Sequence, residues 1–206
     1  LKDHIDVATA LGMVDLERAA KIAGSRFYFL KGSLALLNFA LHHYALDFMA
    51  KKGFTVTIPP FMMRKAAYQG VVDLADFENV LYKIENEDLY LIATSEHPLT
   101  AQYMNETLPA AELPLKLTGF STNFRKEAGA HGKDTKGIFR VHQFNKTEQL
   151  IICHPQDSWK WHEALLKNAE EFIKSLELPY RVVNMCSADI GSIASKKYDI
   201  EVWMPH

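Results

Sequence analysis

Cysteine is scarce in this sequence: Cys153 and Cys186 are the only two, and neither stands near a second cysteine or a histidine pair at zinc-ligand spacing. Both read as reduced thiols of a cytosolic protein, which excludes a fold stapled by disulfides. The nine histidines are scattered, and adjacent His42 and His43 point to different sides of any helix that carries them, so no metal site built from protein nitrogen and sulfur ligands is expected. Charge of one sign is also lacking. Lys and Arg number 23 against 25 Asp and Glu, a net of −2 that offers no general attraction to a phosphate backbone. No apolar run free of charge reaches the roughly 18 residues of a membrane span. Leu1-Lys2-Asp3-His4 is no secretory start, so secretion and membrane insertion are disfavoured and a cytoplasmic location is expected. Internal repeats, linkers and low-complexity stretches are missing as well.

What is present is a chain of 206 residues, 48% apolar, enough for one sizeable core in a single unit spanning 1–206. Asp15 to Ala23 reads as a short helix stopped by Gly24, followed by an aromatic strand from Arg26 to Leu30. Ser33 is placed to cap a long helix running to about Lys52, with Gly53 closing it. Leu34, Leu37, Leu41, Tyr44 and Phe48 form one apolar face of that helix, and Leu36, Phe39, Ala40 and Leu46 a second. A helix apolar on most sides has to be buried on most sides, in a core or at an interface. A β-branched run, Phe54 to Ile58, then stops at Pro59-Pro60.

Val80 to Ile84 and Leu89 to Ala93 look like a hairpin around a charged turn, and Thr94-Ser95-Glu96-His97-Pro98 starts a helix expected to reach about Asn105. Two strand-like runs, Leu113 to Glu127 and Arg140 to Cys153, flank a loop with Gly129, Gly132, Lys133, Lys136 and Gly137. An amphipathic helix from Ser158 to Leu176 and strands at Tyr180 to Asn184 and Tyr198 to Trp203 complete the pattern. Hairpins with helices inserted between groups of strands predict an α+β fold, an antiparallel sheet covered by helices.

The densest chemistry lies on the two strands around the basic loop. Alternation puts Asn123, Arg125 and Glu127 on one face, and Arg140, His142, Phe144, Lys146 and Glu148 on one face of the partner strand. A guanidinium suits a phosphate, a phenyl ring stacks on a base, and a carboxylate accepts from an amine or hydroxyl. Pattern alone also permits a surface hairpin with cross-strand ion pairs, the commoner case.

The wording goes further than the pattern. Phe124-Arg125-Lys126-Glu127-Ala128-Gly129, Gly132-Lys133-Asp134-Thr135-Lys136-Gly137, Arg140-Val141-His142-Gln143-Phe144 and Glu148 closely resemble motif 2 of the seryl-tRNA synthetases, a class II family. The helix from Ser33, the strand after Gly53 and Pro59-Pro60 resemble motif 1. Thr94-Ser95-Glu96 is similar to the family's serine-site loop, Gly24-Ser25-Arg26-Phe27-Tyr28 to the approach to motif 1, and Lys197 to Pro205 to a later strand near further ATP and metal contacts.

The resemblance implies ATP-dependent activation of serine to seryl-adenylate and transfer to tRNA(Ser), as an aminoacyl-tRNA ligase. It implies that Arg125 holds the α-phosphate and acts as the catalytic residue. Arg125, Lys126, Glu127, Val141 and Phe144 would bind ATP, with Phe144 stacked on adenine, and Thr94, Ser95, Glu96, Arg125 and Glu148 would bind serine. A homodimer through 33–60 is implied, and so is Mg2+, with its protein ligand expected past His206, as are the threonine of the serine pocket and the motif 3 arginine. The tRNA-gripping helical arm is expected to lie outside the chain, and activity of the 206-residue chain alone is expected to be impaired. Two other readings stay open: an inactive synthetase-like dimeric binding or regulatory module, and an amino acid:carrier-protein ligase.

Overall fold

Capping residues set the first helices. The computed structural model describes residues 2–73, 79–127 and 137–204. Asp3 Oδ1 accepts from the backbone N–H of Ile5 at 2.8 Å to open α1 (His4–Ala10). Asp15, at the end of β1 (Val14–Asp15), caps α2 (Leu16–Ala23) by accepting from Arg18 N–H at 3.0 Å. The same carboxylate takes Lys31 Nζ at 2.5 Å and an Arg18 guanidinium nitrogen at 2.7 Å, and these cations, Lys31 first, hold its carboxyl well below the usual range.

The aromatic strand is shorter than the sequence suggests: β2 holds only Phe29–Leu30, paired antiparallel with β1. Arg26 interrupts it at φ +65°, where its carbonyl accepts from His142 N–H at 3.0 Å. The long helix α3 (Gly32–Lys51) starts one residue before the expected cap. Lys31, not Ser33, flanks it without a side-chain bond, and Ser33 Oγ turns to Met13 Sδ at 3.8 Å. Gly53 follows at φ +80°, beside Lys116, whose Nζ would lie 2.9 Å from any Cβ added there.

The central sheet consists of β3 (Thr55–Thr57), β6 (Leu115–Phe124) and β7 (Gln143–Ile152), in that order. β6 and β7 form a long antiparallel ladder from Leu115↔Ile152 to Phe124↔Gln143, as the hairpin pattern predicts. β3 pairs parallel to β6, so the sheet is mixed rather than wholly antiparallel. The long connection between them brings the chain back in the same direction, which adjacent hairpin strands cannot do. It includes β4 (Met62–Met63), α4 (Lys65–Gln69) and β5 (Tyr90–Leu91), with β4 and β5 paired antiparallel. The expected 80–93 hairpin is present as a bridge at Lys83↔Tyr90 and backbone bonds Leu91→Tyr82 and Ile84→Leu89. Around it lies a buried cluster of Met63, Tyr68, Val72, Leu81, Tyr90, Ile92 and Ala93.

Helix α5 (Glu96–Ala101) is shorter than the predicted run to Asn105, which is turn, with Asn105 itself at φ +65°. α6 (Ser158–Ser175) lies with α3 on one side of the sheet. His42 Nδ1 is 3.0 Å from Thr147 Oγ1, Gln149 Nε2 donates to the Leu165 carbonyl at 2.7 Å, and Tyr44 and Phe172 rings are 5.6 Å apart. The hairpin of β8 (Tyr180–Asn184) and β9 (Tyr198–Val202) is tied to α6 through Tyr180 Oη to Glu170 at 2.7 Å and Tyr198 Oη to Glu163 at 3.0 Å. The expected burial of α3 is not met within the chain: only Met49 is buried, while Leu36, Leu37, Phe39, Leu41 and Tyr44 are exposed. The sheet offers cover to one side of the helix, and this helix is apolar on more than one.

Candidate active site

The face of β6 and β7 turned away from α3 carries the chemistry. Antiparallel register sets Gly119 opposite Glu148, Ser121 opposite Lys146 and Asn123 opposite Phe144, and directly paired residues share a face. Asn123 and Ser121 are fully buried and bonded to each other at 2.6 Å, a polar floor with its own needs met. Phe124 N–H donates to the Ile92 carbonyl at 2.8 Å, so the segment leading into α5 runs beside β6 and lays Thr94 over Glu148.

Thr94 Oγ1 donates to Glu148 Oε1 at 3.0 Å, and the Lys146 ammonium forms an ion pair with the same carboxylate oxygen. Lys146 Nζ also lies 3.4 Å from Thr94 Oγ1, and Glu96 N–H donates to that hydroxyl at 3.3 Å. Although part of Glu96 reaches solvent, the protein packed around it raises its carboxyl above the ordinary value. The nearby Glu148 adds to that rise, while Lys146 and Arg125 oppose it. Ser95 does not join the cluster: it is fully buried, and its hydroxyl donates to the Gly119 carbonyl at 3.1 Å.

Beside this cluster opens a cleft of about 1790 Å³ lined by Arg125, Glu127, Arg140, Val141 and Phe144, with α1 and the β8–β9 hairpin as further walls. The Arg125 guanidinium carbon sits 5.2 Å from the centre of the Phe144 ring, and its Nε donates to the Ala93 carbonyl at 3.2 Å. Glu127 is 3.6 Å from Arg140, and its carbonyl accepts from an Arg26 guanidinium nitrogen at 2.6 Å. Of the residues singled out for the nucleotide and the amino acid, Arg125, Glu127, Val141 and Phe144 line this cleft, and Thr94, Glu96 and Glu148 form the cluster beside it.

Lys126 stands apart: its N–H donates to the Val80 carbonyl at 2.8 Å, its ammonium lies 5.6 Å over the Tyr82 ring, and it does not line the cleft. His142 also leaves the face that alternation assigns to it. β7 begins only at Gln143, so the period of two does not extend back to His142. Its ring stacks on Phe27 at 5.3 Å, and Nδ1 is 2.9 Å from both Tyr82 Oη and the Arg125 carbonyl oxygen. Lys133 and Lys136 of the basic loop fall outside the described residues.

Three residues of the site were not selected from sequence. Lys146 had a legible signal, sharing the parity of Glu148 on one strand. Arg26 had none, since it reaches Glu127 across a sequence separation of 101 residues. His97 is buried behind the cluster, its ring 5.4 Å from Tyr68. Burial first, then the charges of Arg125 and Lys146, push its imidazole down to about 4. Among the described residues no three His, Cys, Asp or Glu side chains gather as a metal site. No helix of those residues is long and apolar enough to cross a membrane.

An anion-binding guanidinium over a ring, next to two carboxylates and a hydroxyl, can seat a nucleotide phosphate beside a zwitterion. Residues 80–206 match the tRNA synthetase class II core domain (G, H, P, S and T). The chain is 59% identical over 202 residues to a serine--tRNA ligase of Archaeoglobus fulgidus, a match covering 98% of this chain and 45% of that protein. Its structure is similar to that of seryl-tRNA synthetase from Pyrococcus horikoshii complexed with ATP, with a TM-score of 0.96 and 54% identity over 99% of this chain and 46% of the other. It is similar too to the cytoplasmic serine-tRNA ligase from Naegleria fowleri in complex with AMP, with a TM-score of 0.93 and 47% identity over 97% and 47% of the two chains. The chain spans a little under half the length of these relatives. These matches bear out the resemblance read from motifs 1 and 2, and with its core domain recognised from Val80 to His206, the chain belongs to the class II tRNA synthetase family, within reach of the seryl-tRNA synthetases along nearly all of its length.

Proposed function

We propose that this face activates serine with ATP and, in the whole protein, passes the seryl group to tRNA(Ser). The observation that carries the reading is the Thr94–Glu148 bond at 3.0 Å set beside Arg125 over Phe144, in a chain so similar to serine--tRNA ligases. Adenine stacks on Phe144 next to Val141, with Glu127 toward the same end of the nucleotide. Arg125 takes the α-phosphate and the serine carboxylate. Thr94, Glu96 and Glu148 receive the serine ammonium and hydroxyl.

A serine carboxylate oxygen attacks the α-phosphorus, the bond to pyrophosphate breaks, and seryl-adenylate forms. A ribose hydroxyl of the terminal adenosine of tRNA then attacks the seryl carbonyl and releases AMP. Arg125 works by neutralising charge that grows at the α-phosphate, the preorganised kind of stabilisation that needs no protein nucleophile. Magnesium bound to ATP would help neutralise the phosphate charge. Glu201, a carboxylate at the β9 wall of the cleft, pairs with Arg181 at 2.5 Å.

The exposed apolar face of α3, continued by exposed Val56 and Ile58, supports a homodimer through 33–60. Cytoplasmic residence fits the reaction proposed. Amino-acid-dependent ATP–pyrophosphate exchange, run with serine, threonine, alanine and glycine on this chain and on a form as long as its relatives, tests the activity. Exchange with serine alone in the longer form is expected. No exchange with any of the four in that form would favour the binding-module reading.

A further inference from the structure

The Lys146 ammonium occupies the position that a substrate ammonium needs. It pairs with Glu148 Oε1 and sits 3.4 Å from Thr94 Oγ1, the two groups assigned above to the amino acid. We infer that Lys146 is a positioning residue that holds the place of the substrate ammonium on Glu148 and Thr94 and exchanges with it on binding. The inference rests on the reading of this pocket as an amino-acid site.

Three features fit exchange rather than a fixed structural pair. Lys146 and Glu148 lie two residues apart on β7, on the site face, so their contact needs no other element to hold it. The lysine side chain keeps 35% of its surface in solvent, so its ammonium can withdraw into water while the stem stays on the strand. A lysine carries a mobile point charge, whereas an arginine fork would hold the carboxylate in place. The exchange also conserves charge. Glu96 and Glu148 face each other closely enough for mutual repulsion, and one ammonium replaces another without leaving them uncompensated. A ligand with a hydroxyl but no amine, or with its amine acylated, cannot complete the exchange.

An internal competitor lowers the apparent affinity of the ligand by the fraction of molecules in which the site is taken. Lys146→Met therefore tightens serine binding by about tenfold in isothermal titration, and it tightens ethanolamine, the amine and hydroxyl without the carboxylate, by a similar factor. Lys146→Arg, which keeps a competing cation, gives no such gain. Serine binding that is weakened or unchanged in a folded Lys146→Met protein would overturn the inference while leaving the serine pocket standing. Failure of the wild-type protein to bind serine would remove the pocket reading and the inference together.

A second readout does not depend on a variant. In nitrogen-15 spectra of the lysine ammonium groups, Lys146 should give a signal slowed in exchange by its pairing, and saturating serine should release it. Persistence of that signal in the serine complex would contradict the exchange.

Discussion

The guanidinium carbon of Arg125 lies 5.2 Å from the centre of the Phe144 ring, and Arg125 Nε is anchored 3.2 Å from the carbonyl oxygen of Ala93. The side chain is thus oriented before any substrate arrives, by one contact from β7 and one from the segment preceding α5. Preorganisation of this sort favours a charge that develops during reaction, because no reorientation is required when it appears. Arg125→Ala is expected to reduce serine-dependent pyrophosphate exchange by on the order of 100-fold. Phe144→Leu is expected to weaken ATP binding by about tenfold through lost stacking. Titrations with ATP and with serine separate the two effects, since Phe144→Leu should leave serine affinity unchanged.

His97 gives the fold a pH dependence. Unfolded, its imidazole takes up a proton near its ordinary value of 6.5, whereas in the folded protein it does so only near 4. The unfolded state therefore binds more protons through that window, and stability is lost as pH falls from 6.5 toward 4. The full effect of this group is roughly 3 kcal/mol. Urea unfolding at pH 7 and pH 5 should show the loss, and His97→Gln should flatten it. An unchanged slope in that variant would assign the acid sensitivity to other groups.

The apolar face of α3 predicts association. Leu36 and Phe39 are 69% and 64% exposed, a degree of exposure that single surface residues show but a contiguous patch on one helix seldom does. Sedimentation should find a dimer at micromolar concentration, and Phe39→Asp should shift it to monomer with the far-ultraviolet circular dichroism intact. A monomeric wild type would remove α3 as an interface.

Much of this architecture was legible in the sequence because its signals are local. Asp15 before α2, Gly53 after α3 and Pro59-Pro60 after β3 act within a few residues of themselves, and each stands at the boundary it predicts. The β6–β7 ladder followed from alternation, and alternation also placed Phe144, Lys146 and Glu148 on one face. It failed at His142, where the strand has not yet begun, and the capping signal failed at Ser33, where Lys31 flanks the helix instead. The parallel pairing of β3 with β6 was illegible, because it depends on a partner far along the chain. So was the Arg26 contact with Glu127. The apolar sides of α3 were read as needing burial, which the chain itself gives only to Met49; where cover comes from is a tertiary fact that a local pattern does not carry. The resemblance to motif 2 named Arg125, Glu127, Val141 and Phe144 together, which pattern alone could not do. It also named Lys126, and the serine-site loop named Ser95; the fold turns these toward Tyr82 and Gly119.

In the proposed function, Thr94, Glu96 and Glu148 read serine beside a nucleotide held by Arg125 and Phe144. Its most direct test compares two non-reactive adenylate mimics, seryl and alanyl sulfamoyl-adenosine, titrated into the protein under one set of conditions. A pocket whose carboxylate and hydroxyl need a partner discriminates against the mimic that lacks the hydroxyl, because the pocket groups are left unpaired. The seryl mimic is expected to bind tighter by on the order of 100-fold, and Glu148→Gln to reduce this margin. Equal affinity for the two mimics would contradict it.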